Sequence, residues 1–341
     1  MSSAELADEG RAGPLPVLLD VDTGFDDALA LILALRSPRL RVLGVTCVVG
    51  NQRLDQVVAN TLKVIEALGA DVPVAAGMRL PLLEPLRTPM PLHGQDGMAD
   101  LALPAPRGKP LPIHAVEFLR QTLLAASEPV TVIALAPLTN LALLIRMYPE
   151  AAERIANLVI MGGTLAGAGN VTPVAEFNIR HDPEAAAMVL GSELPICLYP
   201  LDVFRQIAFS RGESEAMAAL ADPAPRLAGG ILCHSCTYFG SEAALIGDAG
   251  AVATVIDPAG CRRGRYAVTV ELANGPARGQ TVVDRRTPAA QARGAEWWPP
   301  AAPSVEIVEW VDVARYRRLF AETVGAAHLL LPAGELAGLP E

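Results

Sequence analysis

The chain has 341 residues, of which 51% are hydrophobic, and it carries a formal net charge of -10 at pH 7. A chain of this size can bury a large core, and the acidic balance excludes a general nucleic-acid-binding protein, because no basic stripe is present to neutralise phosphates. The cysteines are odd in number and lie in apolar runs, which is typical of a reducing compartment. Because we also find no signal peptide and no apolar run of membrane length, we predict a cytoplasmic protein without a membrane partner.

The chain alternates between strand-like and helix-like segments. We predict a disordered tail over 1–14, a single α/β domain over 15–330 and a C-terminal tail over 331–341. The predicted strands cover 17–19, 41–49, 72–76, 130–135, 158–161 and 195–200, and the predicted helices cover 28–35, 54–68, 114–126, 139–147 and 182–190. This alternation predicts a mostly parallel central sheet flanked by helices in an open α/β fold.

The pattern changes after Asp202, where helical periodicity dominates through Ile256. Residues 266–272 and 280–284 then predict a small antiparallel addition near the C-terminus. The Pro/Ala-rich stretch 286–303 predicts a mobile surface loop. A strand over 305–310 and a helix over 312–324, with Asp312 as its cap, complete the domain.

An acidic turn, defined here as residues 20–27 (DVDTGFDD), follows the first apolar strand and precedes the first helical pattern. Its four carboxylates are Asp20, Asp22, Asp26 and Asp27. The turn lies at the carboxyl end of a parallel strand, where open α/β sheets bind ligands.

Helix capping is the simpler explanation for acids at this position, since Asp26 and Asp27 occupy the first helical turn. It leaves Asp20 and Asp22 unexplained, because both precede the turn. Four crowded carboxylates repel one another unless a cation or hydrogen-bond donors offset their charge. Their oxygens suit a hard cation, Ca²⁺ or Mg²⁺, better than zinc. The turn therefore predicts a metal site.

Five further polar segments occur in a fixed order after the acidic turn. They are VVGNQ (48–52), HGQDG (93–97), LAPLTN (135–140), MGG (161–163) and NVTPVAEFN (170–178). Together with the acidic turn, this ordered set resembles the inosine–uridine-type nucleoside hydrolase family over roughly residues 17–320.

The resemblance implies an enzyme that hydrolyses the N-glycosidic bond of ribonucleosides to free base and ribose. It implies Ca²⁺ as the cofactor, a small-molecule ribonucleoside as the substrate and a role in purine or pyrimidine salvage. A homo-oligomer, either a dimer or a tetramer, is also expected.

The same resemblance assigns roles to individual positions. The implied Ca²⁺ ligands are Asp22, Asp27, Asp248 and the backbone carbonyl of Leu135. Asp22 would also deprotonate the Ca²⁺-bound water, and Asn178 is the second implied catalytic residue. The implied substrate-binding residues are Asp26, Asn51, His93, Asn170, Glu176, Asn178 and Asp248, with His93 near the nucleobase.

The chain departs from the family pattern immediately before Asp248. Purine-preferring members have a histidine there that protonates the leaving base, whereas this chain has Gly247. Candidate substitutes are His234, Tyr238 and Glu242, although a lone side chain on a mixed helix is more often structural. The alternative function is a family member that binds metal and ribose but has weak or lost turnover because Gly247 replaces the acid.

Two other motifs predict different chemistry. Cys233 and Cys236 have a Cys-x-x-Cys spacing, but the surrounding pattern is helical, lacks a thioredoxin-like βαβ context and pairs with no obvious further zinc ligands. The sequence Asp20-x-Asp22-Thr23 after an apolar strand also mimics the nucleophile motif of haloacid-dehalogenase-type phosphatases. That alternative needs a lysine near the phosphate, and neither Lys63 nor Lys109 is suitably placed.

Overall fold

The computed structural model describes residues 13–87, 94, 96–294 and 303–330. Within these ranges the strands alternate with helices, as the sequence predicts. The strands are β1 Leu15–Val21, β2 Leu40–Cys47, β3 Val74–Ala76, β4 Val130–Ala134, β5 Ile155–Met161, β6 Ile196–Tyr199, β7 Ala208–Ser210, β8 Ala243–Leu245, β9 Cys261–Val270, β10 Thr281–Val283 and β11 Ser304–Val311.

The helices include several of only one turn. They are α1 Phe25–Arg36, α2 Leu54–Ala67, α3 Ala115–Ala125, α4 Thr139–Met147, α5 Pro149–Ala152, α6 Phe177–His181, α7 Pro183–Leu190, α8 Leu201–Phe204, α9 Arg211–Ala218, α10 Pro223–Phe239, α11 Ala249–Ile256, α12 Pro288–Arg293 and α13 Val313–Val324. None of the helices in the described ranges combines the length and apolarity that crossing a membrane requires.

The main sheet has nine strands in the order β10-β9-β11-β6-β5-β4-β1-β2-β3. From β3 to β11 all neighbours are parallel, whereas β9 and β10 add antiparallel pairs at one edge. The predicted fold class, including the antiparallel addition, is confirmed. The chain builds outward from β1 on one side and from β4 on the other, so the topological switch point lies between them. Open α/β sheets bind ligands outside the carboxyl ends of the strands at such a point.

Strand β1 is buried on both faces of the sheet. Leu19 and Val21 belong to the hydrophobic cluster on one face, and Leu18 belongs to the cluster on the other. A strand covered by helices on both sides needs apolar residues at consecutive positions, which explains the unbroken run before the acidic turn.

Some short elements differ from the sequence prediction. The region predicted as helical contains β7 and β8, which form a separate two-stranded antiparallel sheet. The predicted loop over 286–303 contains α12, which Thr287 caps by accepting from the Ala290 N–H. These elements have three to six residues. Such lengths are too short for a hydrophobic period to develop.

Candidate active site

The acidic turn connects β1 directly to α1. Asp27 lies in the first turn of α1 and caps it, because its carboxylate accepts from the Gly24 N–H at 2.9 Å and from the Asp22 N–H at 3.2 Å. The capping explanation is therefore correct for Asp27. It does not account for the side chain of Asp22, which is fully buried just beyond β1.

Asn51 follows β2 and joins these two acids. Its backbone N–H donates to Asp22 Oδ2 at 2.7 Å, and its side-chain amide donates to Asp22 Oδ1 at 3.3 Å and to Asp27 Oδ2 at 3.1 Å. The parallel pairing of β1 with β2 brings the two turns together at the carboxyl edge. The structure thus places three of the predicted site residues in direct contact.

Asp248 joins the acids from the far end of the chain, at the N-terminus of α11. Ligand oxygens of Asp26, Asp27 and Asp248 all lie within 4.8 Å of one another. The family resemblance implies that Asp26 binds the ribose, whereas the structure also brings its carboxylate together with those of Asp27 and Asp248, in a group that could hold a metal ion. Asp22 lies beside this group, in contact with Asp27 through Asn51.

Burial and mutual repulsion act together on these acids. Burial, followed by the charge of Asp26, raises the pKa of Asp27 to about 8. Burial and neighbouring carboxylates also raise the pKa of Asp22 and of Asp248 well above the usual range. A cation among them would offset this cost. The donors are all oxygens, so the residues present fit a hard divalent ion such as Ca²⁺.

A second group of polar residues lies at the ends of β4 and β5. The Asn178 side chain donates to the backbone carbonyls of Leu135 at 2.9 Å and Met161 at 3.2 Å. Asn178 belongs to α6, a helix that the sequence analysis did not predict. The structure therefore brings Asn178 to the Leu135 carbonyl, one of the predicted metal ligands.

Glu176 precedes α6 and is almost fully buried. Its carboxylate accepts from the backbone N–H groups of Asn178, Gly163 and Ile179 at 2.8, 3.0 and 3.1 Å. Burial nevertheless raises the pKa of Glu176 to about 7. Asn170 accepts from the Phe177 N–H at 2.9 Å and is exposed. These contacts give both residues a structural role in addition to the predicted ribose contacts.

Aromatic side chains lie next to the acids. The Phe25 ring is 6.3 Å from the His234 ring, which stacks against Tyr238 at a centroid distance of 6.3 Å. A Cβ built on Gly247 would lie 2.9 Å from Phe204 and 3.0 Å from Asp26. We call Phe25, Phe204, His234 and Tyr238 the aromatic half of the site. The acidic half comprises Asp22, Asp26, Asp27, Asn51 and Asp248.

The three candidate substitutes for the missing acid differ in position. His234 is half-buried on α10 and faces Phe25. Tyr238 is 47% exposed one turn later. Glu242 has an 83% exposed side chain and pairs with Arg211 at 3.6 Å. His93, predicted to lie near the nucleobase, falls outside the described residues.

Gly247 occupies a backbone conformation that side chains disfavour, with φ of +55°. A Cβ there would also meet Phe204 at 2.9 Å and Asp26 at 3.0 Å, so these neighbours would have to shift to admit it. At position 247 this chain therefore differs from the family pattern in backbone conformation and packing, as well as in lacking the imidazole.

The structure gives no support to the two alternative motifs. Asp20 is fully buried, and its Oδ1 accepts from Thr46 at 2.5 Å and from Asn140 at 2.8 Å, which gives it a structural role between β2 and α4. Burial raises the pKa of both Cys233 and Cys236, which disfavours the reactive thiolate. Among the described residues, these cysteines belong to no group of three or more candidate metal ligands.

Two supporting residues were singled out in the sequence only as part of a polar turn. Asn140 donates to Asp20 and to the Cys47 carbonyl at 3.1 Å, which ties the ends of β1 and β2 together. Thr139 donates to Asp182 at 2.6 Å. Their position in the polar turn that follows β4 indicates a role at this edge of the sheet, but the sequence does not show which residues they contact.

The chain is similar to known proteins over most of its length. The family model for inosine–uridine preferring nucleoside hydrolases matches residues 17–318. The pyrimidine-specific ribonucleoside hydrolase RihA of Enterobacter sp. (strain 638) is 40% identical over 276 residues, covering 79% of this chain and 88% of that protein. The corresponding protein of Citrobacter koseri is 39% identical over the same shares of both chains.

Solved structures show the same fold. A plant nucleoside hydrolase superimposes with a TM-score of 0.83 at 27% identity, covering 92% of this chain and 99% of that one. A purine-preferring ribonucleoside hydrolase from Gardnerella vaginalis gives a TM-score of 0.82 at 27% identity, with 92% and 100% coverage. The family match spans both the acidic turn and Asp248. The chain therefore belongs to the inosine–uridine preferring nucleoside hydrolase family, a family of enzymes that act on the N-glycosyl bonds of ribonucleosides.

Proposed function

We propose that this protein hydrolyses the N-glycosidic bond of ribonucleosides and that Asp22 is its general base. The observation that carries the proposal is the pair of buried acids, Asp22 and Asp27, held by one amide, Asn51, at the switch point of the sheet. Buried acids with raised pKa values in such a position are typical of catalytic sites.

The metal would be held by Asp22, Asp27, Asp248 and the Leu135 carbonyl, with Asp26 as a further candidate ligand. When bound, Ca²⁺ would lower the pKa of a coordinated water and bind the ribose hydroxyls through oxygen. The Asn178 amide that donates to the Leu135 carbonyl would hold this carbonyl in place.

The side chains of the site then have different roles in the reaction. A carboxylate oxygen of Asp22 accepts the proton of the attacking water, while Asn51 holds this carboxylate by two donated hydrogen bonds. Asp26, Asn170, Glu176 and Asn178 would bind the ribose hydroxyls. Because glycosidic cleavage passes through an oxocarbenium-like state, the nearby carboxylates also stabilise the positive charge that develops on the sugar.

For the leaving base we propose that His234 is the proton donor in place of the absent histidine. Its ring faces Phe25, which directly precedes Asp26, and it is more shielded from solvent than Tyr238. A protonated imidazole is a hydrogen-bond donor and can serve as a general acid.

The names of the relatives bear on which nucleobase this protein prefers. The two proteins at 39–40% identity are pyrimidine-specific, whereas the purine-preferring structural neighbour is only 27% identical. We therefore propose pyrimidine ribonucleosides as the first substrates to test. A cytoplasmic homo-oligomer remains our proposal for the working form, and light scattering of the purified protein tests its assembly.

The direct test is incubation of the protein with uridine, cytidine and inosine in the presence of Ca²⁺, followed by measurement of free base and ribose. Release of both products is expected.

A second candidate function, binding of metal and ribose with weak or no turnover, is favoured by the crowded glycine at 247. Tight nucleoside binding without product release would support that second function and contradict the first.

A further inference from the structure

A buried asparagine connects the acidic turn to another loop. Asn60 lies on α2, and its side-chain amide donates to the Thr23 carbonyl at 3.2 Å and to the Asp96 carbonyl at 2.9 Å. Its own carbonyl oxygen accepts from Gln56 at 2.8 Å. Asn60 is fully buried, and these contacts use both its amide donors and its acceptor.

The acidic turn receives a second contact from the next residue of α2. Thr61 donates to the Val57 carbonyl at 2.9 Å, so its hydroxyl oxygen accepts from the Thr23 hydroxyl at 2.7 Å. Thr23 immediately follows Asp22, so α2 holds the backbone that presents the proposed general base.

The other carbonyl that Asn60 contacts belongs to a strained segment, residues 96–101. Ala99 and Asp100 have φ of +59° and +51°, which is unfavourable for residues with a side chain. Asp96 stabilises this backbone by accepting from the Met98 N–H at 2.7 Å and the Asp100 N–H at 3.1 Å. A segment of this kind keeps its conformation only when its surroundings hold it.

The same segment packs against α10, the helix that carries His234 and Tyr238. Met98 is fully buried in the cluster that includes Phe25. A Cβ built on Gly230 would lie 3.2 Å from Leu101, which places Leu101 against α10 about one turn before His234. The segment 96–101 therefore contacts Asn60 through Asp96 and the helix that carries the proposed proton donor through Leu101.

We propose that Asn60 is a positioning residue that connects the acidic turn to the segment 96–101 and so holds the acidic and aromatic halves of the site in register. The proposal deepens the proposed function and rests on it. Asn60 acts on the reaction through Thr23 and Asp96 and makes no contact with the substrate in this role.

The test compares three variants. Asn60→Ser removes both bridging donors. Gly97→Ala disturbs the same junction from the loop side, since the added Cβ would lie 2.9 Å from the Asn60 amide and 2.6 Å from Gln52. Gln56→Ala is the matched control, because it removes a neighbour of Asn60 but leaves both bridging donors in place.

Three measurements are made on each protein: backbone hydrogen exchange, the Ca²⁺-dependent rise in melting temperature, and kcat/KM for uridine and for a nitrophenyl riboside. For Asn60→Ser and Gly97→Ala we expect faster exchange in 96–101, an unchanged Ca²⁺ response and a loss of about 10–100-fold in kcat/KM for uridine. The nitrophenyl riboside, which needs no protonation of its leaving group, should lose less. Gln56→Ala should resemble the wild type.

Equal losses for the two substrates, or loss of the Ca²⁺ response together with activity, would overturn the proposal in favour of a merely structural Asn60. Unchanged exchange in 96–101 would overturn it as well. If Asn60→Ser does not fold, Gly97→Ala decides the question by itself. A wild-type protein that cleaves neither substrate would contradict the proposed function, whereas the exchange measurement would still report whether Asn60 holds the segment.

Discussion

The two halves of the site are built in different ways. In the acidic half, Asp22 and Asp27 are fully buried and fixed by hydrogen bonds of 2.7–3.3 Å from Asn51 and the local backbone. In the aromatic half, ring centroids lie 6.3 Å apart, and Tyr238 is 47% exposed. Hydrogen bonds therefore fix the geometry of the acidic half, whereas side-chain packing fixes that of the aromatic half.

The supporting elements explain this difference. In the acidic half, Asp22 and Asn51 follow the ends of the adjacent parallel strands β1 and β2, where the sheet fixes the backbone, and Asp26, Asp27 and Asp248 lie at helix N-termini. In the aromatic half, Phe25 begins the almost entirely buried helix α1, whereas Phe204, His234 and Tyr238 come from the partly exposed helices α8 and α10. Side chains on such helices can change without disturbing the sheet, so the group that assists the leaving base can vary while the sugar and metal chemistry stays the same.

The largest expected effect is in the acidic half. Asp22→Asn retains an acceptor oxygen for the Asn51 N–H but cannot take up a proton, so kcat should fall by about 10²–10⁴-fold with little change in KM. Steady-state kinetics with uridine measure both parameters. Asp55→Asn, at a 70% exposed side chain outside the site, is the matched control and should behave as wild type. A loss confined to KM would show that Asp22 only positions the substrate.

The next prediction concerns the aromatic half. If His234 protonates the leaving base, His234→Phe should lower kcat for uridine by about 10²-fold and leave a nitrophenyl riboside nearly unaffected, because general-acid assistance is worth about that much. The wild type should also cleave the activated riboside faster than uridine or inosine. The exposed His328 provides a matched control through His328→Phe.

Equal turnover of uridine in the wild type and His234→Phe would exclude His234 as the donor. Tyr238→Phe would then be the next variant to compare, since the Tyr238 ring stacks directly on His234.

The third prediction concerns the stability of the fold. Saturation of the acidic half with Ca²⁺ should stabilise the wild type by about 2.7 kcal/mol when free Ca²⁺ exceeds its Kd 100-fold. Asp248→Asn should lose most of this gain. In the presence of a chelator the same variant should be more stable than the wild type, because one of the repelling buried carboxylates is gone. Thermal melts with and without Ca²⁺ test both statements, and no Ca²⁺ response in the wild type would contradict the metal site.

The acidic half was largely predictable from the sequence. An apolar run followed by DVDTGFDD specifies a strand, a turn and a helix, and Asn51 lies in the turn that follows the adjacent strand β2. Local patterns of this kind carry over directly into three dimensions because parallel strands end at the same edge. The grouping of Asp26 with Asp27 and Asp248 needed the structure, since it depends on where α11 begins relative to α1.

The contacts of Asn60 and of the candidate acid His234 were not predictable, for a physical reason. Asn60 lies inside a regular amphipathic helix, where a polar residue gives no signal of the two carbonyls it contacts. His234 likewise lies inside α10, and only the packing of α10 on α1 reveals that it faces Phe25. Neither contact can be read from the hydrophobic periodicity of the sequence, because each joins residues that are far apart in the chain.

The smallest expected effect tests why the aromatic half lacks a histidine before Asp248. Gly247 and Gly240 have nearly the same backbone conformation, with φ of +55° and +61°, but a Cβ would meet Phe204 and Asp26 at Gly247 and nothing within 4 Å at Gly240. Gly240→Ala should therefore cost about 1 kcal/mol of unfolding free energy from the backbone alone, and Gly247→Ala about 2–3 kcal/mol. Urea unfolding measures both. A larger cost at 247 would mean that Gly247→His cannot simply restore an acid, since its Cβ meets the same two neighbours. Equal costs would instead show that Phe204 moves aside readily, and Gly247→His would then be the variant expected to speed the cleavage of natural nucleosides.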